Sequence, residues 1–113
     1  MANTFKLKTD NGVGTSLATT YTVPGATTTI VIGCTLANIH ASANTNCDVQ
    51  IVTASSSGEN ADDVYVIKNV PGPYASSLEI IEGKIVMQTG DAIRVKSDTA
   101  SSIDVALSVL EQT

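Results

Sequence analysis

The clearest alternation in the chain lies in residues 84–111, which read KIVMQTGDAIRVKSDTASSIDVALSVLE. Side chains of a β-strand point alternately to opposite faces, so this pattern predicts strands with one buried face. In the last strand the buried face comprises Ile103, Val105, Leu107 and Val109. Turn-forming segments at 89–91 and 97–102 divide the stretch. We therefore predict a three-stranded antiparallel meander over residues 84–111, with one apolar face that packs on another layer.

The register of this meander follows from the turn at 89–91. Pairing Met87 with Ile93, and Ile85 with Val95, keeps apolar residues opposite each other across a three-residue loop. A two-residue loop would instead place a lysine on the buried face. The longer loop requires a left-handed residue, which we expect to be Gly90 or a neighbour.

The remaining strand-like segments predict the fold class. They lie at 4–8, 17–23, 27–38, 47–53, 64–70 and 78–81, separated by turn-forming residues. The segment 27–38 is apolar on both faces, which indicates a central strand. Eight or nine short strands of this kind predict an all-β fold, an antiparallel β-sandwich that forms a single domain over residues 1–113.

The two cysteines fall opposite each other in a predicted hairpin between 27–38 and 47–53. The register that pairs Ile30 with Ile51 also pairs Cys34 with Cys47 on the same face. Such cysteines form either a cross-strand disulfide or two buried thiols. The first residues lack a basic region followed by an apolar core, so we expect no signal peptide. Folding in a reducing cytosol favours free thiols.

Composition excludes several partners. The net charge is −5 and the six basic residues are scattered, whereas a protein that binds nucleic acid needs a basic face. No apolar run approaches the ~18 residues of a membrane-spanning helix. We therefore predict that the protein binds neither nucleic acid nor a membrane.

No group of residues predicts catalysis. His40 is the only histidine, and no nucleophile motif accompanies it. The oxygen-bearing side chains of Glu59, Asn60, Asp62 and Asp63 could gather around calcium, but their spacing differs from that of an EF-hand loop. We predict a solvated loop there and leave calcium binding open. The sequence thus predicts a protein that is not an enzyme and needs no cofactor or metal.

Three stretches carry a resemblance to a known family. They are YTVPGATTTIVIG (21–33) with LAN (36–38), KNVPGP (68–73) with SSLE (76–79), and GKIVMQTGDAIRV (83–95) with ASSIDVALSVLE (100–111). Together they resemble small virion structural proteins of tailed bacteriophages, notably phages of marine bacteria and cyanobacteria. The resemblance covers most of residues 20–111. It implies a non-enzymatic part of a virion that is assembled in the host cytoplasm.

Within that resemblance we expect a head decoration or cement protein that stabilises the capsid surface. Its partners would be further copies of itself and other virion proteins, either the major capsid protein or tail and neck proteins. Small symmetric domains can add contacts between capsid units. The expected interface residues are aromatic or polar positions in loops and the first strand: Phe5, His40, Asn44 and Tyr74.

Two alternatives stay open. One is a neck, tail or fibre-attachment component of the same particle. The other is a carbohydrate- or receptor-binding β-sandwich module, a class that commonly uses aromatic platforms or calcium. The absence of Trp and the presence of only three Tyr disfavour this second alternative.

Overall fold

The computed structural model describes residues 2–40, 42–53, 63–74, 76–80 and 84–113. In these residues the chain forms nine strands and no helix, so none of them lies in a helix able to cross a membrane. The strands are β1 (Asn3–Asp10), β2 (Ala18–Thr22), β3 (Thr28–Asn38), β4 (Thr45–Val52), β5 (Val64–Gly72), β6 (Ser77–Glu79), β7 (Ile85–Met87), β8 (Ala92–Ser97) and β9 (Ile103–Gln112).

The strands form two antiparallel sheets, which confirms the predicted fold class. In sheet A the order is β1-β9-β3-β6, and β7 also pairs with β3. In sheet B the order is β2-β8-β4-β5. The chain passes from one sheet to the other at most connections, which is the jelly-roll arrangement of two Greek keys. The long strand β3 lies centrally in sheet A, as its two apolar faces predicted.

The inner faces of the two sheets form one aliphatic core. The predicted buried face of β9 is confirmed, because its four alternating apolar residues are at most 3% exposed. Sheet B supplies branched side chains that cover them. The buried residues of both sheets include Val31, Leu36, Val49, Ile93, Val95, Ile103, Val105, Leu107 and Val109.

The predicted meander over residues 84–111 is wrong. Met87 pairs with Thr29 of β3 rather than with Ile93, and β8 lies in sheet B while β7 and β9 lie in sheet A. Alternation fixes which face of a strand is buried. It does not distinguish a hairpin within one sheet from an arch between two sheets, because both bring apolar faces together. The expected left-handed residue is confirmed at Gly90, whose φ is 90°.

The predicted hairpin between 27–38 and 47–53 is also wrong. β3 lies in sheet A and β4 in sheet B, and Ile51 pairs with Ile93 and Val64 instead of with Ile30. Among the described strands, β4 and β5 are the only consecutive pair that share a ladder. A register predicted by pairing consecutive strands is therefore wrong in this topology, because most consecutive strands are not hydrogen-bonded to each other.

Candidate interaction surface

The outer face of sheet A carries a row of bulky apolar side chains across four strands. Leu110 is the ladder partner of both Phe5 and Ile30, and Ile30 is the partner of Val86. Phe5 is 74% exposed and Val86 is 63% exposed, while Ile30 and Leu110 are half-buried. We call these four residues the apolar row.

The next outward positions extend this surface. Leu7 is 65% exposed and pairs with Ser108, which in turn pairs with Gly33. The exposed side chain of Ile32 lies at a bulge in β3 beside them. None of these side chains is charged, but the carboxylate of Glu79 lies beside Gly33 on the same face, where it accepts a hydrogen bond of 2.6 Å from Thr35 Oγ1. The outer face of an antiparallel sheet that meets water is normally polar, so this cluster of exposed apolar side chains marks a candidate binding face.

In β1 the lysines, and not the apolar residues, lie on the face that points toward sheet B. The Nζ atom of Lys6 lies 2.8 Å from Oε1 of the buried Glu111, and that of Lys8 lies 5.8 Å from the centroid of the Tyr21 ring. Because side chains alternate along a strand, inward lysines force Phe5 and Leu7 outward. The solvent exposure of these two residues is thus fixed by ion pairing at the neighbouring position.

A buried polar network holds β1 in this orientation. The Tyr21 hydroxyl donates to Oε2 of Glu111 at 2.5 Å and accepts from Thr29 Oγ1 at 2.8 Å. Hydrogen bonds from Lys6 and Tyr21 lower the pKa of Glu111, so its carboxylate stays ionised. Burial, together with the hydrogen bond to Glu111, raises the pKa of Tyr21 to about 12. The network therefore joins β1 and β9 of sheet A to β2 of sheet B.

A shallow groove lies at the opposite end of the same outer face. Its volume is about 270 Å³. Small side chains dominate it, and Oδ1 of Asp104 at its end accepts a hydrogen bond of 2.9 Å from the backbone N–H of Gly12. The lining residues are Thr9, Asp10, Asn11, Thr35, Ala37, Asp104, Val105 and Ala106.

The outer face of sheet B has a different chemistry. Lys96 Nζ lies 4.0 Å from Oδ2 of Asp48, and Arg94 pairs with Gln50 in the ladder. At the sheet edge, the ammonium group of a lysine on β5 lies 4.1 Å from the centroid of the Tyr65 ring. Polar and charged groups thus cover the outside of sheet B.

The predicted interface residues separate into two places. Phe5 belongs to the apolar row. His40, Asn44 and Tyr74 lie together at the other end of the sandwich, on the order of 25 Å away along β3. There the Asn44 side chain accepts a hydrogen bond of 3.0 Å from the Tyr74 backbone, and His40 Nδ1 accepts from the backbone N–H groups of residues 42 and 43. The interface role of these three residues stays a prediction.

Both cysteines are free thiols and lie in different sheets. Cys34 is on β3 and Cys47 on β4, and each is at most 1% exposed. Burial raises the pKa of Cys34 to about 12 and that of Cys47 to about 11. Only the thiolate is a good nucleophile, so these buried thiols are unreactive in the folded protein.

The predicted acidic segment at 59–63 lies, except for Asp63, outside the described residues. Within the part of the chain that the structure describes, no three His, Cys, Asp or Glu side chains lie close enough to hold a metal ion.

Sequence reasoning identified Phe5 but missed the rest of the apolar row. One signal was available: Asp104, Ala106 and Ser108 set a polar or small outward phase in β9, and Leu110 breaks it. The positions of Ile30 and Val86 beside Leu110 depend on long-range pairing, which alternation alone does not specify.

Neither a family model nor a curated protein matches this chain. A solved structure of similar fold is that of a Bacillus endospore appendage, described as belonging to a family of disulfide-linked pili. The TM-score is 0.51 and the sequence identity is 10%, and the match covers 99% of this chain and 87% of that one. At this identity the likeness establishes the shared fold alone.

This finding corrects the predicted function. The similar structure is an endospore appendage pilus and not a phage protein, so the assignment to a phage head decoration protein is wrong, as are its neck, tail and sugar-binding alternatives. The error arose because strand and turn patterns specify a fold that unrelated functions share. Nothing tests the family resemblance itself or the virion location, which stay predictions.

Proposed function

We propose that this protein is a non-enzymatic structural subunit that associates with further copies of itself through the outer face of sheet A. The observation that carries this proposal is the apolar row together with the exposed side chains of Leu7 and Ile32 beside it. A β-sandwich needs apolar residues only on its inner faces, so these outer side chains do not serve folding.

The fold likeness agrees with a structural role, since the similar subunit belongs to a pilus. Two features of this chain favour non-covalent contacts. Cys34 and Cys47 are buried within the sandwich, so neither can reach a second copy without opening the core. The apolar row, in contrast, is already at the surface.

The test is the molar mass of the purified protein, measured by light scattering and sedimentation velocity over a range of concentrations. We expect a dimer or larger species. Phe5→Ser should weaken association about 10- to 100-fold, because burying a large apolar side chain contributes about 1.5–3 kcal/mol.

Tyr74→Ser is the matched control, because Tyr74 is also an exposed aromatic residue, at 55%, but lies off this face. It should leave the molar mass unchanged. A wild-type protein that stays monomeric at its highest soluble concentration would contradict the proposal. So would equal effects of the two substitutions.

A further inference from the structure

We infer that two copies pack with their sheet A faces together, related by a two-fold axis that runs across the strands, so that the apolar row of each copy fills the groove of the other. This inference rests on the proposed self-association and specifies its geometry. It assigns the groove an occupant, namely a second copy of this chain.

The outward side chains of sheet A decrease in size from one end of the face to the other. Along β9 they run from Leu110 through Ser108 to Ala106. Along β1 the same direction runs from Phe5 to Thr9. One end of the face is therefore raised and the other is recessed, and both ends belong to the same surface.

The strand pairing places the end with large side chains and the end with small side chains at equal distances from Ser108. Leu110 and Ala106 are each two residues from Ser108, or about 7 Å along the strand at ~3.4 Å per residue. A half-turn about a line across the strands at Ser108 brings the Leu110 of one copy over the Ala106 of the other. It likewise brings Phe5 over Thr9. Large side chains at Leu110 and Phe5 then face small ones, as in a well-packed interior, while Leu7 lies on the axis and faces the Leu7 of the other copy.

The alternative two-fold axis, parallel to the strands, fits less well. It would stack one apolar row on the other and leave two grooves of about 270 Å³ unfilled. It would also bring the Asp104 ends of the two faces together, and like charges across an interface are unfavourable. In the arrangement with the axis across the strands, each Asp104 meets the uncharged end of the other copy, and Val86 lies over Glu79, the ladder partner of Thr35.

The size of the face is close to that of a standard protein interface. β3 has 11 residues, and sheet A is four strands wide along its main path. At ~3.3 Å per residue and ~4.8 Å per strand, the face measures roughly 36 by 19 Å, or about 700 Å². Standard protein interfaces bury about 800 Å² per partner, so this face approaches the required area.

The geometry can be tested by cross-linking between Leu110→Cys and Ala106→Cys variants mixed in equal amounts. Facing sheets pack about 10 Å apart, whereas a disulfide needs Cα atoms within about 7 Å, so a short bis-maleimide is the suitable reagent. Cys34 and Cys47 are buried and give no background. Phe5→Cys mixed with Thr9→Cys repeats the test on β1, in case a substitution at Leu110 disturbs the fold.

We expect the mixture to yield cross-linked heterodimers at least ten times faster than Leu110→Cys alone. Faster cross-linking of Leu110→Cys alone would overturn the inference in favour of stacked apolar rows. A dimer that cross-links in neither case would overturn the inference while leaving self-association intact. A monomer would overturn both.

Discussion

The outer faces of the two sheets differ although their inner faces are alike. Both inner faces are aliphatic and together form the core. Outside, sheet B presents Arg94 and Lys96, the latter 4.0 Å from the buried Asp48, whereas the corresponding area of sheet A presents Phe5 and Val86. Folding requires only the inner faces, so the difference reflects what each outer face meets: water for sheet B and, in our proposal, another protein surface for sheet A.

The largest expected effect is on the stability of the fold. It comes from comparing the same substitution, leucine to alanine, on the inner and the outer face of sheet A. Leu107→Ala should destabilise the fold by about 2–5 kcal/mol, because Leu107 is fully buried and the change leaves a cavity. Leu7→Ala should change the stability of the monomer by less than about 0.5 kcal/mol, because Leu7 is 65% exposed. It should nevertheless weaken association. Urea unfolding and sedimentation measure the two quantities separately, and a large loss of monomer stability in Leu7→Ala would contradict the outward orientation of β1.

The second effect compares the two outer faces directly. Phe5→Lys should weaken association by at least about 100-fold, because it buries an unpaired charge in the interface, opposite the uncharged Thr9 of the other copy. Thr19→Lys places the same charge on the exposed outside of sheet B, beside Arg94, and should leave association unchanged. Sedimentation velocity of both variants decides the comparison. If Thr19→Lys proves the more disruptive variant, sheet B is the binding face.

The third effect concerns the polar network of Lys6, Tyr21 and Glu111, which holds β1 with its lysines facing inward. Glu111→Gln should cost about 1–2 kcal/mol at neutral pH, because Lys6 and Tyr21 lose a charged acceptor. The pKa of Glu111 is lowered in the folded protein, so its carboxylate stabilises the fold above the ordinary value of 4.5. This stabilisation disappears as the pH falls through the lower folded value.

Urea unfolding of wild type and Glu111→Gln as a function of pH checks this sign. The free energy of unfolding of the wild type should exceed that of Glu111→Gln by the full amount at neutral pH. The difference should vanish in acid. A difference that grows as the pH falls would show that the carboxylate does not act through its charge.

The smallest expected effect is that of salt. Sulfate strengthens apolar burial, whereas contacts between exposed charges are screened. Association through sheet A should therefore be unchanged or slightly tighter in sodium sulfate. Dissociation by salt, measured by light scattering, would instead point to the charged face of sheet B.

Alternation predicted the strands and the buried face of β9 correctly because it is a local property of the chain. Pairing was predicted wrongly because most consecutive strands of this fold lie in different sheets, as with β3 and β4. The same limit applied to the candidate surface. Phe5 was identified as an exposed position, but its neighbours across the sheet come from residues 25 or more positions away in sequence, such as Ile30 and Leu110.

The orientation of β1 shows what a sequence pattern leaves undecided. Phe5 and Leu7 alternate with Lys6 and Lys8, which indicates two faces but not which one is buried. A one-residue slip would bury the apolar pair. The ion pair between Lys6 and the buried Glu111 determines the outcome, and these residues are more than 100 positions apart.

Carbene footprinting of the wild-type protein at low and high concentration tests most directly whether a second copy covers sheet A. We predict that labelling of Phe5, Leu7 and Val86 falls as concentration rises, while labelling of Tyr65 and Tyr74 stays constant. Constant labelling of the apolar row at every concentration, or protection of sheet B instead, would contradict self-association through this face.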